Sequence, residues 1–226
     1  MKQTLLIILL GLGLVALAVY ITSRVKPADK DDNKRASAKI KVEGDGQSRP
    51  VALLDGSYQL DLNASWLTWH GEKVIGKSHT GTTAFQSGSL QVQDGKLSGG
   101  EFIIDVASLK DNDNIEMLGN HLKSADFFDV AHYPTAKLLI TKAEAGKDGH
   151  YKIDADLTIK DVTAPVSFEA ILSPTVNGLS ATSQFEIDRT TWGLKYGSGK
   201  FFQNLGDNMI NDEIVFTIDL QATRAN

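Results

Sequence analysis

The side chains that could do chemistry are few in this chain, and their spacing is against most of it. The five histidines, His70, His79, His121, His132 and His150, form neither His-Glu-x-x-His nor any other ligand pair that sets a metal on one face. No Gly-x-Ser-x-Gly elbow presents a serine nucleophile. Gly197, Ser198, Gly199 and Lys200 suggest a phosphate loop, but position 194 is Leu where that motif needs Gly, and Phe201 stands where it needs Ser or Thr. Asp126 and Asp129 could work as acid and base, yet three apart beside a helix end they have a simpler use, accepting backbone N–H groups. No catalytic residue and no metal site is therefore assigned.

The densest block is His121–Ala136, HLKSADFFDVAHYPTA, in which two adjacent Phe sit among acids and histidines ahead of a Tyr-Pro stop. Upstream, Asp113 with Glu116 three residues later reads as a capping box, and Ile115, Leu118 and Leu122 share one face at helical spacing. This predicts a short helix over about 113–123, with Lys123 favourably placed in its last turn. Ser124 then caps a second turn carrying Phe127, Phe128 and Val130, and Pro134 forbids continuation. Neighbouring residues on a helical turn point roughly 100° apart, so burying both Phe requires a wedge between apolar surfaces. A plug in the mouth of a barrel meets that need; simple core filling beneath a crossover is the alternative.

The elements that would position such a plug are strands. Ile153, Ala155, Leu157 and Ile159 alternate with polar residues, as do Val166, Phe168, Ala170 and Leu172, then Leu179 through Ile187, then Ile214, Phe216, Ile218 and Leu220. Tyr58, Leu60 and Leu62, then Phe102, Ile104 and Val106, and more weakly Leu90 and Val92, repeat the pattern. Turn residues divide these runs at Asp94-Gly95, Lys147–Gly149, Asp161–Pro165 and Asn177-Gly178, which predicts mostly up-and-down antiparallel pairing. Eight to ten strands with one apolar face cannot be covered by one short helix, so the sheet must curl on itself. The expected fold class is all-β, a closed antiparallel barrel plugged by a helix at one end, with a filled β-sandwich as the alternative. An eight-strand barrel is either packed solid or just wide enough for one ligand. Small Ala155, Ala170, Ala181 and Ser183 among the bulky inward residues leave room for a void.

Composition bounds the rest. The 226 residues, 42% apolar and without cysteine, permit one large domain, no disulfide and no thiolate metal site. Leu5–Ile21 is a run of 17 uncharged, mostly aliphatic residues behind Met1 and Lys2, a membrane-targeting segment by length and polarity. Ala16, Leu17 and Ala18 fit a cleaved signal peptide, whereas Val19, Tyr20 and Ile21 extend the run to the lower limit of a retained anchor. Retention is the favoured of these two fates for residues 1–21. Residues 22–50 hold eight Lys/Arg and five Asp/Glu with little aliphatic periodicity, and read as a solvated charged linker. Setting these and Lys2 aside leaves 14 basic against 23 acidic residues in 51–226, a formal charge of −9 that argues against nucleic acid as a partner.

With strands and plug placed, the order of motifs resembles the YceI-like family of bacterial envelope proteins over about 57–223. The matching pieces are Tyr58–Asp61 with Ser65, His79–Gly81, Ser87-Gly88, Ile104-Asp105 with Ser108-Leu109, His121–Asp129, Tyr133–Thr135, Leu157–Lys160 with Val162-Thr163 and Pro165-Val166, and Asp188-Arg189 with Trp192-Gly193. Asp161 and the pair Ala155-Asp156 depart from the family where it often has Gly, and residues 197–210 look like a loop of this lineage alone. The resemblance implies a lipocalin-like barrel in the cell envelope, on the periplasmic side, that binds a polyisoprenoid in its lumen, with no other cofactor and no enzymatic step. Strand parity then nominates Phe102, Ile104, Leu138 and Ile140, together with Ile153, Leu157 and Phe168, as lining residues. Phe185, Ile187 and Phe216 join them, and Phe127 and Phe128 come from the plug. For the ligand's head, Arg189 offers a guanidinium fork suited to diphosphate or quinone oxygens, unless Asp188, Asp105 or Asp212 pins it. His79, inward by parity with Phe85, is the second head-group candidate. A scaffold module with a filled core and a barrel enzyme acting on a small apolar substrate are the competing readings.

Overall fold

Nine antiparallel strands form one closed sheet in the computed structural model, which describes residues 52–225. The proposed leader over 1–21 and linker over 22–50 lie outside the described residues. In chain order the strands are β1 (Gly56–Leu60), β2 (Trp66–Glu72), β3 (Ser78–Gln93), β4 (Lys96–Asp111), β5 (Thr135–Ala145), β6 (His150–Ile159), β7 (Val162–Pro174), β8 (Gly178–Asp188) and β9 (Glu213–Arg224). Helix α1 (Glu116–Lys123) lies between β4 and β5. Each of β3 to β9 pairs with its neighbours in sequence, except where β1 and β2 together bridge β3 and β9. β1 meets β3 at 89–92 and β9 at 222–224, whereas β2 meets β3 at 78–83 and β9 at 215–219. The two short strands are thus halves of one stave, and the barrel has eight.

The stave breaks because Asp61 folds the chain outward: its Oδ1 accepts the N–H groups of Asn63 (3.0 Å) and Ala64 (3.3 Å). Ser65 stitches the gap to β9, its hydroxyl donating to Gln221 O (3.2 Å) and accepting from Gln221 N (2.9 Å). Leu62, read from sequence as an inward residue, is consequently exposed, and β2, which the alternation did not reveal, supplies inward Leu67 and Trp69 in its place.

Where the loops are tight the sequence signals hold. Asp94 and Gly95 both take positive φ (52° and 71°), the mirror-image turn that suits the twist of a hairpin. The β6–β7 turn is shorter than Asp161–Pro165: Lys160 and Asp161 alone make it, both at positive φ, and Val162–Pro165 pair with β6 as strand. Lys160 is not a residue that favours this conformation. Its ammonium donates to Phe127 O (2.8 Å), tying the turn to the aromatic plug. A register shift between Phe85 and Ser87 lets Phe85, Gly88 and Leu90 all face inward.

Gly81 marks the closest approach of β2, β3 and β4. A Cβ there would sit 1.9 Å from Lys110 O and 2.3 Å from the Trp69 ring. Gly81→Ala is expected to destabilise the barrel by about 2 kcal/mol or more through overpacking, read as a lowered denaturation midpoint at unchanged m-value.

The helix begins later than the spacing suggested. Asp113 forms no capping box; the N-cap is Ile115, and its N–H donates to Asp111 Oδ2 (3.0 Å) at the end of β4. A buried carboxylate from the adjoining strand thus replaces the local cap. The expected face is correct, since Ile115, Leu118 and Leu122 all border the barrel cavity, Ile115 at its exposed rim.

Candidate functional site

The interior is hollow. A cavity of about 680 Å³ runs within the barrel, a volume in the range of small-ligand sites. At one end it is sealed by the tight hairpins, with Leu97 and Leu172 among the last lining residues and Leu53, Tyr58 and Tyr151 buried behind them. At the other end converge the β2–β3 loop, α1 with the turn after it, and the long β8–β9 loop, where the wall passes from Ile187 and Ile214 to Glu72, Lys77 and Met117, all exposed to solvent. On β4 alone the lining extends from Leu97 to Leu109, about 40 Å of strand, or about 30 Å along the axis at ordinary barrel tilt. The shape is an elongated apolar tube with one open mouth.

All twelve residues nominated as lining border this cavity: Phe102, Ile104, Leu138, Ile140, Ile153, Leu157, Phe168, Phe185, Ile187, Phe216, Phe127 and Phe128. Phe168 stacks on Phe185 (centroids 4.5 Å apart, planes at 16°), and Phe185 in turn meets Phe216 at 5.7 Å. The three rings pack against the core on one side and border the open space on the other, and Phe168, Phe185 and Phe216 are each only partly buried despite facing inward. Leu67, Trp69, Phe85, Leu90 and Leu97 also line the tube without having been nominated for it; the first two come from the split stave, Phe85 and Leu90 from the bulged β3, and Leu97 from the start of β4.

The plug is a cluster rather than a helix alone. Phe127 is buried with its ring 5.1 Å from His121 and 5.2 Å from Tyr196, and His121 meets Tyr196 edge-on at 4.6 Å, so α1, the following turn and the β8–β9 loop close on one another. Ser124 accepts the Asp126 N–H, as expected of a cap, although the stretch it opens is a hydrogen-bonded turn without helix. Asp126 and Asp129 do not face each other as an acid–base pair. Asp126 Oδ2 lies 3.1 Å from His121 Nε2, and Asp129 Oδ1 lies 2.9 Å from His132 Nδ1.

The two head-group candidates part company. Arg189 borders the cavity but is 2% exposed, and the chain uses its donors: Nε to Asn211 O (3.0 Å), Nη1 to Leu194 O and to Tyr196 O (2.9 Å), Nη2 to Ile210 O and Asp212 Oδ1 (both 3.3 Å). Five donors are matched by five acceptors, so no N–H remains for a ligand, and the guanidinium is the clasp of the β8–β9 loop. Burial lowers its pKa, opposed by the carboxylates of Asp212, Asp188 and Glu213. Lys200 reaches both Asp188 (2.7 Å) and Asp212 (3.2 Å); burial works against the Asp188 carboxylate, yet Lys200 and Thr190 outweigh it and hold that pKa below the ordinary range. Trp192 completes the anchor, its indole N–H donating to Leu157 O (2.9 Å).

His79 faces inward as parity required and lies at the mouth, half-buried, with Nδ1 3.5 Å from Asp111 Oδ1. Neither atom has a hydrogen-bond partner, and the buried Trp69 Nε1 lacks one too. On the rim, Lys73 is tied to Asn208 (3.2 Å), while Lys77 stands exposed beside the opening.

A closed eight-stave antiparallel barrel with an apolar tube, tight hairpins below and a loop-and-helix cap above is the lipocalin-like class of fold. Within that class the chain belongs to the family defined by the YceI-like domain, whose model matches residues 58–222. Relatives include a UPF0312 protein of Shewanella denitrificans, 27% identical over 128 residues (54% of this chain and 64% of the relative). Another, from Pseudomonas putida F1, is 44% identical over 50 residues, so the match spans about a quarter of that relative's length (26%, and 22% of this chain). Among solved structures, Burkholderia cenocepacia BcnA aligns at TM-score 0.59 and 19% identity, covering 71% of this chain and 98% of that one. A polyisoprenoid binding domain from Saccharophagus degradans, described as implicated in plant cell wall breakdown, aligns at TM-score 0.57 and 16% identity, covering 74% and 98%. At these identities the two structures speak to the fold.

Proposed function

We propose that this chain binds an isoprenoid lipid, of polyprenyl or quinone type, with the chain threaded down the barrel and the head held at the loop end. The observation that carries this reading is the tube itself: long, narrow, lined by aliphatic and aromatic side chains, and open at one end only. Each methylene transferred from water into such a lining gains about 0.8 kcal/mol, so a long chain is held by its length without polar contacts. The binding of a polyisoprenoid by the Saccharophagus neighbour supports the same choice of ligand.

At the mouth, His79 is the head-group contact from the protein wall and Lys77 the exposed cation beside it; Arg189, spent on the loop, is not. The loops around the opening expose Val74, Ile75, Met117, Phe201 and Phe202, an apolar fringe suited to lipid exchange with a bilayer. The uncharged run Leu5–Ile21 would hold the barrel at the envelope membrane, on the periplasmic side, where such a lipid is available.

Native purification followed by organic extraction and mass spectrometry tests the reading. Prenyl species are expected to survive detergent washing at up to one per chain. Protein that emerges empty and takes up no added polyprenol or quinone would overturn it, and would favour a scaffold role for the fringe.

A further inference from the structure

The buried polar atoms left without partners among the described residues are three, Trp69 Nε1, His79 Nδ1 and Asp111 Oδ1, and they fall on one patch where β2, β3 and β4 lie side by side. Trp69 and Asp111 are the two cross-strand neighbours of Gly81, and the Trp69 ring lies against that glycine. His79 is two residues away along β3. Unpaired polar atoms are costly to bury; the Trp69 indole N–H can only donate, but His79 Nδ1 and Asp111 Oδ1 can each offer a lone pair, and one cation between them would satisfy both.

The geometry identifies its charge. His79 Nδ1 and Asp111 Oδ1 stand 3.5 Å apart, beyond a normal hydrogen bond for this pair of atoms. One ion bound to both at about 2.0–2.2 Å with a tetrahedral angle would separate them by about 3.4 Å. Asp113, exposed on the loop after β4, brings a carboxylate oxygen within 4.8 Å of both, so three residues each offer one ligand atom to a single ion. The Asp111 side chain is 1% exposed, and its second oxygen is held by the Ile115 N–H, the orienting contact that a ligating carboxylate requires.

We propose that His79, Asp111 and Asp113 bind a divalent transition-metal ion of the zinc type at the mouth of the barrel, leaving one coordination position open toward the lumen. An imidazole nitrogen with two carboxylates disfavours calcium and magnesium, which take all-oxygen shells. Two carboxylates and a dication sum to zero charge. The ion therefore turns an acidic patch into one that receives an oxygen of a head group or a water. The site rests on the patch alone and stands independently of which lipid, if any, fills the tube.

The test uses the full-length protein in detergent, stripped of lipid and treated with chelator, titrated with Zn2+ alone by calorimetry and with Co2+ by visible absorption. One ion per chain is expected, with the intense visible bands of tetrahedral cobalt. Affinity should fall by more than about tenfold in Asp113→Asn and in His79→Gln. Asp113 is exposed, so its variant keeps the test intact even if His79→Gln unfolds; Asp111 is avoided because it also caps α1. Absence of saturable uptake, or uptake unchanged in both variants and so residing elsewhere, would overturn the proposal. Neither result bears on lipid content, which is measured separately by extraction.

Discussion

Phe168→Arg is expected to empty the barrel: on the proposed function, prenyl lipid recovered per chain should fall by about two orders of magnitude, while far-UV circular dichroism should keep its β signature. Phe168 faces the tube from β7, paired in register with the fully buried Ile153 and stacked on Phe185. A guanidinium there has apolar neighbours on every strand and must keep water around itself, which blocks the bore. Excluding even four methylenes of the ligand forfeits about 3 kcal/mol, and every 1.4 kcal/mol is a factor of ten in affinity. The fold loses less, because Phe168 borders the cavity and is not fully buried. Ala181→Trp makes the same test without charge. Ala181 is set deep in β8 opposite Leu172 and Leu220, so the indole fills space that a lipid tail would occupy. Undiminished lipid in both variants would mean that the lumen is not the binding site.

Why the lining was legible while the mouth was not follows from the period of a strand. On β6, β8 and β9 every second side chain turns inward over the strand's length, so a run such as Ile153, Ala155, Leu157, Ile159 declares its face without reference to anything distant. β2 fails that test. Trp66 is apolar but half-exposed on the outer face, Gly71 carries no side chain, and the stave it completes is shared with β1, so only Leu67 and Trp69 remain as signal. The start of α1 is hidden for another reason: its capping carboxylate, Asp111, belongs to a strand, and the local pair Asp113 and Glu116 imitates a cap that the chain does not use. The unpartnered patch at the mouth is less visible still. Asp111 lies 32 residues from His79, and only the β3–β4 register, which seats Asp111 opposite Gly81, brings them together.

Arg189 is the sharpest instance of this limit, and its replacement has the second large expected effect. From sequence, an arginine at a strand end near a lipid mouth is a head-group donor unless an acid such as Asp212 pins it; in the fold Asp212 does so, and the arginine's other acceptors are carbonyls of Leu194, Tyr196, Ile210 and Asn211, positions with no residue-type signature at all. Arg189→Met leaves those carbonyl oxygens without their donors and the Asp212 carboxylate with Lys200 as its remaining cation. Breaking a buried charge pair of this kind costs about 3–5 kcal/mol. For a domain of this size each kcal/mol lowers Tm by about 2–4 °C, so lipid-free protein should melt about 6–20 °C lower. Arg189→Lys should recover little, since one ammonium cannot reach acceptors spread around a planar fork. A head-group role makes the opposite forecast, an unchanged Tm without lipid and weaker binding with it, so calorimetry on stripped protein separates the two directly. If the clasp is released, the β8–β9 loop that carries Tyr196 loosens from Phe127 and His121, and lipid still bound in the tube should exchange faster even though nothing in the lining has changed.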